Sequence, residues 1–359
     1  MSGKRKVAIV GTMGLPACYG GFETLVHFLV LHLGAEFDFT VYCSAPDYKE
    51  RLENYLFARL RYMPLRANGA QSILYDAASL VDACSWADVI LVLGVSGGIF
   101  LPLAKLFGKK TVLNIGGLDW QRSKWGRNAS RFLQLSEKVA VGAASVLIAD
   151  NEEIGAYLES SYGRASRLIE YGGDQIARVA VSDEGLARYP FLNGPYAFSV
   201  ARIQSDNNIE MILEAFGALP DQKLVFVGNW SASAFGRALK ARYEAVPNLH
   251  LLDAIYAPDV LNMLRGNCSL YLHGHSAGGT NPSLVEAMHL ALPIAAFDVS
   301  YNRATTENAA RYFKSVDELK RLLETTPADQ WESLRAPLAR IADRRYRWQL
   351  IAEKYAALL

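Results

Sequence analysis

Gly278-Gly279-Thr280-Asn281-Pro282-Ser283-Leu284-Val285-Glu286-Ala287-Met288 reads as a glycine-rich loop that breaks directly into a helix. Asn281 suits the N-cap and Pro282 the first helical position, where a missing N–H costs nothing. Gly278 and Gly279 allow a ligand to approach the backbone and take dihedrals that other residues avoid. Free amides and the positive end of the helix then face an anion, most naturally a phosphate. Glu286 follows about a turn later, a carboxylate able to accept hydrogen bonds from sugar hydroxyls. Diphosphate on the amides and ribose on Glu286 would hold a sugar nucleotide. An ordinary capped helix with a solvated glutamate fits the same residues, so the rest of the chain must decide.

Short apolar runs alternate with helical patterns on both sides of this segment. Val7–Val10, Phe39–Cys43, Val89–Leu93, Thr111–Asn114 and Ser145–Ala149 read as strands, separated by helices at Phe22–Leu33, Ile73–Cys84, Phe100–Phe107 and Arg127–Val141. The pattern pauses from Ile169 to Pro195. It restarts with strands at Tyr196–Val200, Leu224–Val227, Leu249–Leu251, Leu270–His273 and Ile294–Phe297. Helices at Ile209–Leu219, Ala232–Val246 and Asp259–Leu264, and the one opened by Pro282, lie between them. Such alternation implies parallel βαβ units covered by helices. A chain of 359 residues also exceeds what one core usually covers. The expected fold class is therefore α/β with two parallel-sheet domains. The first spans residues 1–173 and is joined by the C-terminal helix, 340–359; the second spans 190–339. Ligands of such sheets bind at the carboxyl ends of the strands, so function is expected in a cleft between the domains.

The composition, 51% hydrophobic and 20% charged, is that of a globular protein. Lys and Arg number 37 against 36 acidic residues, which gives no sign of a nucleic-acid partner. Cys18, Cys43, Cys84 and Cys268 lie far apart without metal-type spacing and read as reduced thiols of a cytoplasmic protein. The apolar run after Lys4-Arg5-Lys6 stops at Gly11, too short for a signal core. No run is long enough to span a membrane.

Several loops after strands carry candidate chemistry. Gly11 to Thr24 lacks the G-x-G-x-x-G spacing, which argues against a nicotinamide site. Gly20 and Gly21 instead offer a flat floor for a sugar or phosphate. Glu23 suits either an acceptor contact or its own helix dipole. Asp119 and Trp120, after Gly116-Gly117, offer a polar contact and a stacking platform for a sugar ring. Arg122, Lys124, Arg127 and Arg131 with Trp120 and Trp125 resemble a membrane-interface patch; a solvated basic helix start fits equally. Arg202 ends a strand and can fork onto diphosphate oxygens, with a structural ion pair as its rival. Gly228 would admit a ligand, with Asn229 beside it, while Trp230 serves either a base or the core. His273 and His275 alternate, so one of them would face the cleft. No third ligand at a diagnostic spacing accompanies them, so no metal is expected.

Arg202, Gly228 and Gly279 to Met288 together resemble the GT-B glycosyltransferases of family four. The likeness spans roughly residues 7 to 355. Pro16-Ala17-x-Tyr19-Gly20-Gly21-Phe22-Glu23-Thr24, Gly117-Leu118-Asp119-Trp120 with Arg122 and Lys124-Trp125, and Tyr301-Asn302-Arg303-Ala304 are similar to the bacterial rhamnosyltransferase-type branch. The resemblance implies two Rossmann-like domains, with the C-terminal helix crossing back to the first. It implies a nucleoside-diphosphate sugar as donor substrate, no cofactor and retention of anomeric configuration. Glu286 would bind ribose, Arg202 the diphosphate, and Gly279, Thr280 and Asn281 the phosphate or donor sugar. Glu23, Asp119, Trp120 and Arg122 would hold a saccharide or lipid-linked acceptor, with Asp119 placing the attacking hydroxyl. A lipid-linked acceptor implies peripheral contact with the inner face of the plasma membrane.

Four positions depart from the pattern. Gly278 stands where the wider family has a first glutamate, so His275 or backbone amides would replace its contact. Asn207 stands where a lysine is common. Cys18 and Gly116 replace an expected arginine and aspartate. With this architecture, a nucleotide-sugar 2-epimerase or a non-catalytic sugar-nucleotide-binding subunit are the rival functions.

Overall fold

The computed structural model describes residues 3–18, 20–121 and 126–359; the side chains of Ala70 and Asp119 also lie outside the description. The chain divides into two units, Met1–Tyr171 with Trp348–Leu359, and Gly172–Arg347.

Unit one carries the strands β1 Arg5–Val10, β2 Phe37–Ser44, β3 Asn54–Tyr55, β4 Ala58–Met63, β5 Val89–Leu93, β6 Lys110–Asn114, β7 Val146–Ala149 and β8 Arg167–Leu168. Its helices are α1 Gly21–Leu33, α2 Ser72–Ala83, α3 Leu101–Leu106, α4 Arg127–Ala143 and α5 Glu152–Tyr162. The sheet order is β3-β4-β2-β1-β5-β6-β7-β8, parallel except for the β3–β4 edge. Val89-Ile90-Leu91-Val92-Leu93 is buried throughout, as a central strand covered on both faces must be. β4 escapes an apolar-run reading because Arg59 and Arg61 alternate with Ala58 and Leu60. α5 lies beyond the apolar-run reading yet carries its own local signals. Asn151 caps it by accepting from the Glu153 amide at 3.0 Å, and Gly163 ends it at φ 63°.

The final helix, Trp348–Ala356, completes this unit. Trp348 stacks on Phe28 of α1 at 4.4 Å, and the Tyr355 hydroxyl accepts from Asn114 Nδ2 at 2.8 Å. Lys354 pairs with the buried carboxylate of Glu170.

Unit two carries α6 Asp183–Arg188, β9 Ala197–Val200, α7 Ile209–Gly217, β10 Leu224–Val227, α8 Ala234–Tyr243, β11 Leu249–Leu252, α9 Pro258–Gly266 and β12 Leu270–His273. There follow α10 Pro282–His289, β13 Ile294–Phe297, α11 Ser300–Thr306, β14 Arg311–Phe313, α12 Val316–Thr325, α13 Ala328–Glu332 and α14 Arg335–Arg345. The sheet is parallel throughout, in the order β11-β10-β9-β12-β13-β14.

Two boundaries differ from the sequence reading. Residues 340–347, expected with the first domain, belong to unit two, because Leu338, Ile341, Ala342 and Tyr346 pack into its core with Leu284, Val285 and Met288. The polar stretch after Tyr171 also belongs there, since Tyr189 and Phe191 enter the same core.

Candidate functional site

In unit two the chain leaves β9 towards β10 on one side, whereas β12 leads to β13 on the other. The carboxyl ends of adjacent β9 and β12 therefore form the topological switch point, where open α/β sheets bind ligands. The Arg202 loop follows β9, and the Gly274–Asn281 loop follows β12.

Hydrogen bonds lace these two loops together. Asn208, left-handed at φ 49°, donates to the Gly274 carbonyl at 2.8 Å. Ser276 donates to the Asp206 carbonyl through its amide at 2.9 Å and its hydroxyl at 2.8 Å. A Cβ on Gly274 would lie 2.2 Å from the Asn207 carbonyl oxygen, so glycine permits the approach. Asn207, in place of a lysine, holds the first loop in shape, since it is buried and donates to the Arg202 carbonyl at 2.7 Å. The Arg202 side chain itself is exposed.

The two histidines correct the alternation reading. Residues two apart on extended backbone share a side, and the His273 and His275 rings stack at 4.4 Å and 10°. His273 is fully buried, with neither ring nitrogen hydrogen-bonded among the described residues, and burial holds its pKa well below the usual value. His275 is half-buried above it, and its carbonyl accepts from Asn302 Nδ2 at 2.9 Å.

Gly278 adopts φ 133°, a conformation that side chains rarely take. Asn281 occupies the N-cap and Pro282 the first turn of α10, but the Asn281 side chain makes no capping bond. Gly279 and Thr280 are buried before it.

Glu286 is held at both carboxylate oxygens. Its Oε2 accepts from Nη1 of Arg265, which is 2% exposed on α9, and its Oε1 accepts from Gln175 Nε2 at 2.6 Å. Arg265 Nη2 donates to Asn262 Oδ1 at 3.0 Å. Gly173 places Gln175 there, because a Cβ at Gly173 would meet Val285 Cγ2 at 2.9 Å and the Glu286 amide nitrogen at 3.0 Å. Sequence reasoning missed both partners. The available signal was an arginine four residues after Leu261, on the apolar face of a short helix, where a buried charge needs a counter-charge.

Gly228 does not open space for a ligand. Its missing Cβ accommodates Ile203, which would lie 2.4 Å away, and so seats β10 against the Arg202 loop. Trp230 is core, 1% exposed, with its indole N–H on the Leu252 carbonyl at 2.9 Å. Asn229 is exposed and lines an open pocket of about 470 Å³ with Arg237, Lys240, Asp253 and Tyr256.

In unit one the equivalent switch point lies between β1 and β5. Glu23, 7% exposed, accepts from Thr12 Oγ1 at 2.9 Å and the Met13 amide at 2.8 Å, so one oxygen is committed to the first loop. Its other oxygen lies 2.4 Å from where a Cβ on Gly20 would stand, and Gly20 itself has φ 112°. Gly21 begins α1. Gly116 is left-handed, φ 65°, against the Phe22 ring, a place ill-suited to the expected aspartate. Cys18 is exposed.

Trp120 is not an open platform. It is partly buried near the Tyr157 ring at 6.5 Å, and its indole N–H is buried without a partner among the described residues. Arg122, Lys124, Trp125 and Tyr19 lie outside the described residues, as does the Asp119 side chain. No helix among the described residues is long and apolar enough to cross a membrane.

Residues 4–174 match the model for a domain of unknown function, DUF1972, and residues 188–339 match glycosyl transferases group 1. No curated protein matches the chain. Among solved structures, sucrose-phosphate synthase from Thermosynechococcus elongatus is 17% identical with a TM-score of 0.83, covering 99% of this chain and 98% of that one. Anabaena HepE in complex with UDP is 14% identical with a TM-score of 0.74, covering 98% of each chain. The α,α-trehalose 6-phosphate synthase of Burkholderia multivorans is 11% identical with a TM-score of 0.73, covering 99% of this chain and 96% of that one. The shared architecture is GT-B, two Rossmann-like α/β units. The chain is a glycosyltransferase, with its group 1 domain on the unit that carries Arg202, the Gly278 loop and Glu286.

Proposed function

We propose that this glycosyltransferase moves a deoxyhexose, rhamnose from dTDP-rhamnose as the leading choice, onto a saccharide or lipid-linked oligosaccharide, with retention of configuration. The observation that carries the reading is the convergence of the Arg202 loop and the loop entering α10 on one switch point, with Glu286 on the second turn of that helix. HepE was solved with UDP, which supports a nucleoside diphosphate as the ligand class here.

As the glycosidic bond breaks, negative charge grows on the leaving diphosphate. Arg202 and the amides at the start of α10 would stabilise it by fixed charge and dipoles. Arg265 occupies Oε2 of Glu286, so a ribose hydroxyl would donate to Oε1, in competition with the Gln175 amide. A single hydroxyl suits thymidine, whose sugar lacks the 2′-hydroxyl. Gly278, in place of a first carboxylate, leaves the donor sugar to backbone amides and His275. The acceptor hydroxyl would attack from the face the diphosphate leaves and pass its proton to the departing phosphate oxygen, with Glu23 and Asp119 as the residues proposed to hold the acceptor.

A thermal-shift screen of thymidine-, uridine- and guanosine-diphosphate sugars, followed by mass spectrometry of products on a panel of acceptors, tests this. Stabilisation by the thymidine donor and acceptor-dependent transfer are expected. Donor consumption without an acceptor would instead indicate an epimerase, and binding without any turnover a sugar-nucleotide-binding subunit.

A further inference from the structure

Helix α4 shows an outward stripe of Arg127, Arg131, Leu135 and Lys138, all exposed, with Leu135 at 52%. Their spacing of four, four and three residues puts them on one helical face. α3 packs against α4, and its end, Lys105-Leu106, runs through Phe107-Gly108-Lys109 to Lys110, the first residue of β6. Leu106 is 81% and Phe107 60% exposed. A single exposed leucine means little. Two adjacent large apolar side chains at a helix end, flanked by three lysines, are a different matter.

The charge on this face is one-sided although the chain is nearly neutral, 37 basic against 36 acidic residues. α3 and α4 together contain Lys105, Arg127, Arg131 and Lys138 and only one acid, Glu137. Glu137 is fully buried and accepts from the Tyr157 hydroxyl at 2.5 Å and the Tyr162 hydroxyl at 2.8 Å. No exposed carboxylate on these two helices therefore offsets the cations.

We propose that the outer face of α3 and α4 docks on an anionic lipid bilayer. Leu106 and Phe107 enter the boundary between headgroups and acyl chains, while Lys105, Lys109, Arg131 and Lys138 lay their stems along it and hold anionic headgroups. An apolar tip flanked by lysines, on a helix packed against one whose exposed charges are all cationic, complements such a surface on both counts. A protein partner would have to match the same apolar tip with carboxylates. The biological use rests on the lipid-linked acceptor proposed above, but the docking itself is measurable without turnover.

The test is flotation of the full chain with vesicles of equal parts phosphatidylglycerol and phosphatidylcholine, against phosphatidylcholine alone. Binding is expected to the mixed vesicles only and to weaken at high salt. Lys105→Glu with Lys109→Glu should lower the bound fraction about tenfold or more, and Leu106→Ser with Phe107→Ser comparably. All four side chains are surface groups, so unchanged thermal melting verifies that the variants fold. Failure of the wild type to float, or variants floating as well as wild type, overturns the proposal. So does a wild-type dimer in light scattering that Phe107→Ser dissociates, because the face would then belong to a second copy. Transfer to a soluble acceptor, measured in parallel, separates the two readings. Vesicle binding without transfer sinks the rhamnosyl transfer alone, and transfer without vesicle binding sinks this surface alone.

Discussion

Arg265 and Glu286 form a largely buried ion pair, Nη1 to Oε2, with side chains 3% and 18% exposed. Breaking such a pair strands a charge, which costs about 3–5 kcal/mol, whereas removing both partners costs much less. Arg265→Met and Glu286→Gln should each destabilise unit two strongly. The double variant should recover at least half of the summed loss in urea unfolding. Additive losses would show that the two groups do not act as a pair.

The second oxygen of Glu286 accepts from Gln175, and there the ribose would have to compete. Gln175→Ala removes that competitor, which is worth about 1 kcal/mol, while leaving the Arg265 bond intact. Binding of dTDP and UDP should tighten about three- to tenfold in calorimetry. Weaker binding would make the Gln175 amide part of the nucleotide site. Glu286→Ala, in contrast, should lose donor binding or raise KM steeply; unaltered kinetics would remove Glu286 from the site.

Strand positions were legible because central parallel strands are continuous apolar runs, as Val89–Leu93 and Leu224–Val227 are. β4 was not, because its alternating arginines, one strand in from the sheet edge, carry no such run. The loop entering α10 was legible from Gly278 and Pro282, whose backbone demands are local. What held Glu286 was not, because Arg265 and Gln175 come from 21 and 111 residues away, and only packing brings them in. Gly228 misled for the same reason: a glycine that admits a ligand and one that admits Ile203 look alike in sequence.

Gly274 offers a direct check on how the two loops are joined. A methyl group there would collide with the Asn207 carbonyl and with Ile212, whose Cδ1 would lie 2.8 Å away. Gly274→Ala should cost about 1–3 kcal/mol in melting experiments and weaken nucleotide binding along with it. Gly142→Ala, exposed inside α4 with nothing among the described residues within 4 Å, serves as the control and should be neutral or slightly stabilising. Equal stability of the two variants would mean that the loops move apart without penalty.

Asp76 on α2 gives the pH dependence a definite sign. Its carboxyl is buried, bonded by the Ser96 hydroxyl, and burial pushes its pKa up to about 7. An unfolded aspartate titrates near about 3.9. Between those values the folded chain holds a proton that the unfolded chain has lost, so this contribution to stability is full below about pH 4 and is lost as pH rises through about 7. Asp76→Asn keeps the shape without the charge. The wild type should lose thermal stability relative to the variant between about pH 5 and pH 8, and the variant should melt higher at about pH 8. The comparison isolates Asp76, because the buried neutral His273, which destabilises the fold as pH drops, is common to both proteins. Parallel melting curves across that range would mean that the Asp76 carboxyl ionises in the folded chain as freely as in water.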